Sequence, residues 1–308
     1  MKKISRVVLV GEFAKEFLVS SVEAKVIGVF RRSLYVENTF GRIVCIGERG
    51  IGPGPLNAVC EFCNDEDFTE IVNVGTSVRL QNSSIHLGSK VIIDTSRSEE
   101  WKPDPLPTGW DLEYFLENLP VLLQWIAETG PREGLAPLIA QVASGEKISN
   151  KDAFGPISWN GISNFRHWLS YSLNGEGNHE IPAAARRLVG LGPGLTPSGD
   201  DFWCGVMIAL RALGHFEISE KISGVILNQA EYRTNKISRA HLECAARGQG
   251  AEALHEAISA VGMADQVRLG SVLRVLDKLG HTSGWDSLAG VVCVFGALVT
   301  SKGHPVLV

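Results

Sequence analysis

The sequence lacks the features that mark several large classes of protein. Only 20% of its residues are charged, the net charge is -5, and Lys and Arg do not gather into a basic stripe, which argues against nucleic-acid binding. The apolar run from Leu288 to Thr300 is shorter than the roughly 20 residues that span a bilayer. Glu12 and Lys15 interrupt the apolar N-terminus, so we expect no signal peptide. These absences predict a cytoplasmic protein that binds neither nucleic acid nor membrane.

Three common catalytic or nucleotide-binding sequences are also missing. No glycine-rich stretch ends in the Gly-Lys-Ser/Thr of a phosphate-binding P-loop. The glycines near position 190 follow a predicted helix rather than a strand, so they do not fit a dinucleotide fingerprint. No Gly-x-Ser-x-Gly elbow is present, which disfavours a serine hydrolase.

Cysteine is sparse, at six residues. Cys60 and Cys63 have the C-x-x-C spacing of zinc and redox sites, but no second Cys or His pair stands near them, so we do not favour a metal or redox role. Cys204 and Cys293 fall in apolar helical segments and are expected to be small buried hydrophobes.

The pattern of apolar residues predicts an α+β fold in two domains. Short β-branched runs up to residue 105 predict a β-rich domain over 1–105, a small antiparallel sheet or barrel that includes a hairpin through Asn38–Gly41. The three prolines in 101–109 indicate a linker. Helical periodicity then predicts an all-helical domain over 106–308, with segments at 111–127, 135–142, 162–173, 179–189, 218–232, 234–248, 251–260 and 264–279.

The most informative stretch is Gly190–Asp201, which holds several glycines, two prolines, two hydroxyls and two carboxylates before an apolar helix. Glycine lets a ligand approach the main chain, and proline stiffens the turn. Ser198 or Thr196 is expected to cap the helix, whose positive end favours Asp200 and Asp201. A rigid loop leading into a helix N-terminus suits a bound anion.

A second copy of this pattern lies near the C-terminus. Aligning Ser198-Gly199 with Ser283-Gly284 also aligns Asp201 with Asp286 and Gly205 with Gly290, so both copies have the sequence Ser-Gly-x-Asp-x-x-x-Gly. Two loops that cap two buried helices would face each other across one pocket. The alternative is chance similarity between two glycine-rich segments.

The two loops offer backbone N–H donors, hydroxyls and carboxylates, which suit a small carboxylate or phosphate. We expect the catalytic groups to be among Asp200, Asp201 and Asp286, acting as acid or base, or binding a divalent ion such as Mg²⁺. Helix capping alone would explain the hydroxyls and Asp200. The expected anion-binding residues are Arg186, Gly192, Gly194, Thr196, Ser198, Gly199, His281, Thr282, Ser283 and Gly284.

Two side chains outside the loops have open interpretations. Arg186, at the end of a predicted helix, either complements the helix dipole or neutralises an anion held in the next loop. Arg49, in the Gly/Pro-rich stretch 47–57, lies either in a structural turn or on one wall of a ligand site, and we favour the turn.

The stretch Gly190–Phe202, with the apolar helix after it, resembles the signature of the AllH-type subunit family of oxamate carbamoyltransferase. The helix at 234–248 and the loop at 280–290 are similar to family features as well, so the resemblance covers about residues 180–300. It implies a subunit that acts with partner chains, including an FdrA-like protein, in anaerobic allantoin breakdown. The joint reaction would convert oxalurate and phosphate to oxamate and carbamoyl phosphate.

Two other functions remain open at this point. One is a non-catalytic scaffold, whose loops only cap helices and present a surface to the catalytic subunit. The other is a stand-alone enzyme that processes a small acid with a bound divalent cation.

Overall fold

The computed structural model describes residues 3–20, 23–61, 67–89, 91–146, 154–175 and 180–303. Within it the chain forms two compact units, Met1–Pro103 and Asp104–Val308. The first holds the strands and the second holds the long helices, so the α+β class predicted from the sequence is confirmed.

The N-terminal unit is a closed barrel. Eight strands pair in the order β5-β4-β3-β2-β6-β7-β8-β1, and β1 pairs with β5 to close the ring, while β9 lies beside β1. The predicted barrel therefore forms, although the sheet is mixed, since β1–β8, β1–β9 and β4–β5 are parallel. The strands are β1 Lys3–Gly11, β2 Glu23–Val29, β3 Ser33–Asn38, β4 Ile43–Glu48, β5 Asn57–Glu61, β6 Ser77–Gln81, β7 Ser84–Leu87, β8 Val91–Asp94 and β9 Glu99–Trp101; the helices are α1 Glu12–Val19 and α2 Phe68–Ile71.

Alternation of apolar and polar residues fills the barrel. Along β6, for example, Val78 and Leu80 are buried while their neighbours are exposed, as expected for a strand with one face on a core. The predicted hairpin between β3 and β4 forms, with Asn38 Oδ1 accepting from the N–H groups of Phe40 and Arg42 at 3.0 Å each.

The Gly/Pro-rich stretch 47–57 connects two parallel neighbours, β4 and β5, through a 3-10 turn at Arg49–Ile51. The Arg49 guanidinium donates to Glu61 at 3.1 Å on the surface of the barrel, which favours the structural interpretation. Nearby, Cys60 is fully buried, and burial raises the pKa of its thiol, which disfavours redox chemistry there. Cys63 lies outside the described residues.

The C-terminal unit is helical throughout its described part. Its helices are α3 Leu112–Thr129, α4 Ile139–Ser144, α5 Phe154–Leu173, α6 Ala183–Arg186, α7 Ser198–Ala212, α8 Phe216–Arg233, α9 Lys236–Ala245, α10 Glu252–Val261, α11 Gln266–Leu276 and α12 Ser283–Ser301, with a 3-10 turn at Ala136–Leu138. Asp111 and Asn235 cap α3 and α9 through their side chains. The predicted helix at 179–189 is reduced to the single turn α6, and His179 lies outside the described residues.

Helices α7 and α12 form the centre of this unit, and Cys204 and Cys293 are buried in them as expected. Within the described residues, α12 is the one helix long and apolar enough to cross a membrane. Its most apolar 18-residue stretch has a mean hydropathy of 1.4, yet 83% of that stretch is buried inside the fold. The helix is longer than the apolar run Leu288–Thr300 because it begins at Ser283. Its burial is that of a core helix.

Candidate functional site

Helices α7 and α12 bring the two copies of the Ser-Gly-x-Asp-x-x-x-Gly sequence together. A Cβ on Gly205 would lie 1.8 Å from the Ser287 carbonyl oxygen, and a Cβ on Gly290 would lie 2.1 Å from the Phe202 carbonyl oxygen. Phe202 and Ser287 occupy the same position in the two copies, so the close approach is reciprocal. The repeat in sequence is thus a repeat in packing, which chance similarity does not explain.

Both copies lie in the first turns of their helices rather than in the preceding loops. α7 begins at Ser198, and its N-cap residue, Pro197, makes no side-chain capping bond. The expectation that Ser198 or Thr196 caps α7 is therefore wrong: Thr196 Oγ1 instead lies 2.8 Å from Ser283 Oγ, in the first turn of α12. With proline at the N-cap, both hydroxyls are free to face the neighbouring helix.

The two carboxyl groups reach across to each other's helix. The hydroxyl of Ser283, on α12, lies within hydrogen-bonding reach of Asp201 on α7. In return, the hydroxyl of Ser198, on α7, does the same for Asp286 on α12. The positive ends of both helices thus meet at one buried pair of carboxyls.

Burial dominates the electrostatics of this pair. Asp201 is 6% exposed and Asp286 is 0% exposed, and the Oδ2 atom of each has no hydrogen-bond partner within the described part of the chain. Burial raises the pKa of Asp201 well above its usual value, and the adjacent Asp286 raises it further. Burial also raises the pKa of Asp286. Because two close carboxylates resist ionising together, Asp201 is the group that holds a proton longest.

A third segment, which the sequence interpretation missed, completes the surroundings of Asp286. The Leu135 N–H donates to Asp286 Oδ1 at 2.6 Å. Gly134 has a φ of +66°, and a Cβ there would lie 2.5 Å from the same oxygen, so only glycine fits. The signal was present in the Gly/Pro-rich stretch Gly130–Gly134, but nothing in the sequence linked it to a residue so far along the chain.

Asp200 has a different environment from its neighbour. Its Oδ1 accepts from the Gly190 N–H at 2.7 Å, and its Oδ2 accepts from the hydroxyls of Ser238, at 2.7 Å, and Thr234. These bonds tie the start of the loop to helix α9. Asp200 therefore holds the loop in place, whereas Asp201 retains an unpaired oxygen.

The loop between α6 and α7 is exposed at its tip. Gly192 and Gly194 have φ values of +121° and +93°, and the N–H groups of Gly194, Leu195 and Thr196 bond to no backbone carbonyl among the described residues. By contrast, the Gly199 N–H already donates to the Leu191 carbonyl oxygen at 2.9 Å. The donors available to an anion are thus at the loop tip rather than on the glycine of the helix.

Four predicted site residues remain. Thr282 and Gly284 lie at the start of α12, whereas His281 and Arg186 each face a glutamate. Gly284 packs against the backbone of α11, since a Cβ there would lie 2.3 Å from Leu276 O, and the hydroxyl of Thr282 lies within hydrogen-bonding reach of Asp286. His281 is exposed and lies 3.1 Å from Glu133 on the surface. Arg186 faces Glu180 at 4.0 Å, and no described contact joins it to the carboxyl pair.

No group of three or more His, Cys, Asp or Glu side chains with the geometry of a metal site occurs in the ranges that the structure covers. Burial raises the pKa values of the two carboxyls that do meet.

The chain consists of a barrel unit and a helical unit. In the helical unit, two helix N-termini with the same sequence pattern meet at a buried pair of carboxyl groups. Residues 188–295 match the family described as "Oxamate carbamoyltransferase subunit AllH". The matched segment contains both copies of the repeat, and it confirms the resemblance to AllH-type subunits seen in the sequence. No solved structure matches the chain.

Proposed function

We propose that this chain is a subunit of an oxamate carbamoyltransferase-like enzyme, which converts oxalurate and phosphate to oxamate and carbamoyl phosphate. The family match supports the enzyme class. We place the enzyme in the cytoplasm, in allantoin breakdown, as a hetero-oligomer with an FdrA-like partner and other subunits.

The observation that carries the proposal is the buried pair of Asp201 and Asp286. In the reaction a phosphate oxygen attacks the carbamoyl carbon, the C–N bond breaks, and the departing oxamate nitrogen takes a proton. A carboxyl group whose pKa is raised by burial supplies such a proton near neutral pH. The proton of the attacking phosphate then returns to the carboxyl pair, so the step balances.

We assign different roles to the two carboxyl groups. The pKa of Asp201 is raised by burial and raised further by Asp286, so we assign Asp201 as the acid and Asp286 as a positioning residue. The free N–H groups at the exposed tip of the 192–196 loop then bind the phosphate oxygens. An open loop beside so closed a carboxyl pair suits a site that a partner subunit completes.

Two adjacent aspartates provide a matched pair of variants. Asp201→Asn in the reconstituted complex should abolish carbamoyl phosphate formation while the chain remains folded, because the amide cannot give up the proton. Asp200→Asn should instead destabilise the chain by about 1–3 kcal/mol, since three donors lose a charged acceptor. Near-normal turnover by the Asp201 variant would refute the role of this acid.

Ligand binding separates a complete site from a shared one. The melting temperature of the isolated chain would be followed with phosphate, carbamoyl phosphate, oxamate and oxalurate, since a native-state ligand stabilises by RT ln(1 + [L]/Kd). Saturable shifts that Asp201→Asn loses would locate the site in this chain. Shifts that appear only with the partner subunit present would locate it at the interface.

The scaffold alternative is favoured by one observation, the reciprocal contacts between each carboxyl and the first turn of the opposite helix. If their only purpose is to hold α7 against α12, the complex of Asp201→Asn with its partners will turn over at the wild-type rate. The reconstitution experiment therefore distinguishes the two functions directly.

A further inference from the structure

A polar cavity lies in the helical unit, far from the carboxyl pair. It has a volume of about 410 Å³ and is bounded by the end of α4, one face of α5 and the C-terminal turn of α12. Thr300 lines it, and at 1.5 Å per residue Thr300 is roughly 20 Å along α12 from Asp286. The cavity is therefore separate from the site proposed above.

The described lining of this cavity contains a cationic side chain and no anionic one. Its described lining consists of Ser, Thr, Asn, Gly, Tyr and His residues around a single arginine, Arg166, and includes no carboxylate. Arg166 is only 8% exposed. A buried guanidinium normally has an acidic partner, because removing an unpaired charge from water is costly.

Hydrogen bonds account for only part of the guanidinium. Arg166 Nη2 donates to Ala143 O at 2.9 Å, Gly296 O at 3.1 Å and Thr300 Oγ1 at 2.9 Å. These bonds satisfy carbonyls near the ends of α4 and α12, and they explain why the residue is tolerated. They do not explain the cavity, which Arg166 also lines. Nε is itself buried and has no acceptor among the described residues.

We propose that this cavity binds a small organic monocarboxylate, with the Arg166 guanidinium as its ionic partner. Arginine's planar fork matches a carboxylate, and one cation in the described lining balances one negative charge. Ser163 and Asn174 line the same cavity and add neutral donors. The volume suits a small metabolite. This assignment does not depend on the proposed carbamoyltransferase activity.

The test compares acetate with acetamide, which has nearly the same shape and no charge. The melting temperature of the full chain should rise saturably with acetate at constant ionic strength, and acetamide should have no effect. Inorganic phosphate serves as the alternative oxyanion. A wild-type chain that acetate does not stabilise would overturn the proposal. So would a phosphate shift that is larger than the acetate shift and is lost in Ser163→Leu, because phosphate bound at the 192–196 loop would still stabilise that variant.

Four variants locate the effect. Arg166→Gln should lose the acetate shift, as should Ser163→Leu, which fills the cavity and leaves the arginine in place. Ser172→Leu, on the same helix but outside the cavity lining, should keep it, and so should Asp201→Asn. If Arg166→Gln does not fold, Ser163→Leu decides alone, and an undiminished acetate shift in that variant would contradict the assignment.

Discussion

The close contact between α7 and α12 predicts that replacing glycine by alanine destabilises the chain at the contact, whereas the same change elsewhere stabilises it. Gly205→Ala places a methyl group 1.8 Å from the Ser287 carbonyl oxygen, where ordinary contact needs about 3.4 Å. The obstacle is main chain at the centre of a packed unit, so the helices themselves must separate by roughly 1.5 Å. Overpacking of this kind costs about 3 kcal/mol, at the upper end of the usual range.

Two helical glycines in the same unit serve as controls. Gly224 in α8 and Gly270 in α11 would place a Cβ in open space. Alanine has a higher helix propensity than glycine, so Gly224→Ala and Gly270→Ala should each stabilise the chain by about 0.5–1 kcal/mol. The same chemical change should thus destabilise at one set of positions and stabilise at the other.

Urea unfolding, with thermal unfolding as a second measure, tests both the predicted loss and the predicted gain of stability. For a unit of this size about 3 kcal/mol corresponds to roughly 6–12 °C in melting temperature. Gly290→Ala, which meets the Phe202 carbonyl oxygen at 2.1 Å, should behave like Gly205→Ala. A loss below about 1 kcal/mol for both variants would refute the reciprocal close packing of the two helices.

Two further predictions concern titratable groups. Because burial raises the folded-state pKa of Asp201, the wild-type chain should lose stability, by at most about 1.4 kcal/mol per pH unit, as pH rises from the unfolded pKa through the folded one. Asp201→Asn should show a smaller loss in urea titrations between about pH 4 and 8, since Asp286 still titrates in the variant, and parallel curves would contradict it. Burial raises the pKa of Cys45 to about 12 and that of Cys60 still higher, so both should resist iodoacetamide in the native chain and react after unfolding, as followed by peptide mass spectrometry.

Much of the architecture follows from periodicity in the sequence. The strands of the barrel and the long helices such as α3 and α8 were predictable because one face of each must be buried. The helix at 179–189 was overestimated, since only Ala183–Arg186 forms a helical turn before the glycines at 190 and 192 adopt positive φ values. Short segments next to glycine-rich loops carry too little periodicity to set their ends.

The sequence predicted which residues form the site, but it did not predict the place of each aspartate within it. The sequence pointed to Asp200, Asp201 and Asp286, but consecutive residues on a helix point about 100° apart. Asp200 consequently turns toward Ser238 on α9, and Asp201 turns toward α12. Which of two neighbours meets a distant helix depends on the packing of the whole unit, which local sequence does not encode.

The cost of the carboxyl pair bears on what the chain is for. Scaffolding alone would be better achieved by an amide or an apolar pair between α7 and α12, since Asp201 and Asp286 each leave an Oδ2 atom buried without a partner. Buried carboxyls with strongly shifted pKa values cluster at functional sites. If Asp201→Asn is both more stable at neutral pH and inactive in the complex, the chain gives up stability for a proton donor. If it is more stable and fully active, the pair is a feature of packing, and catalysis lies with the partner subunits.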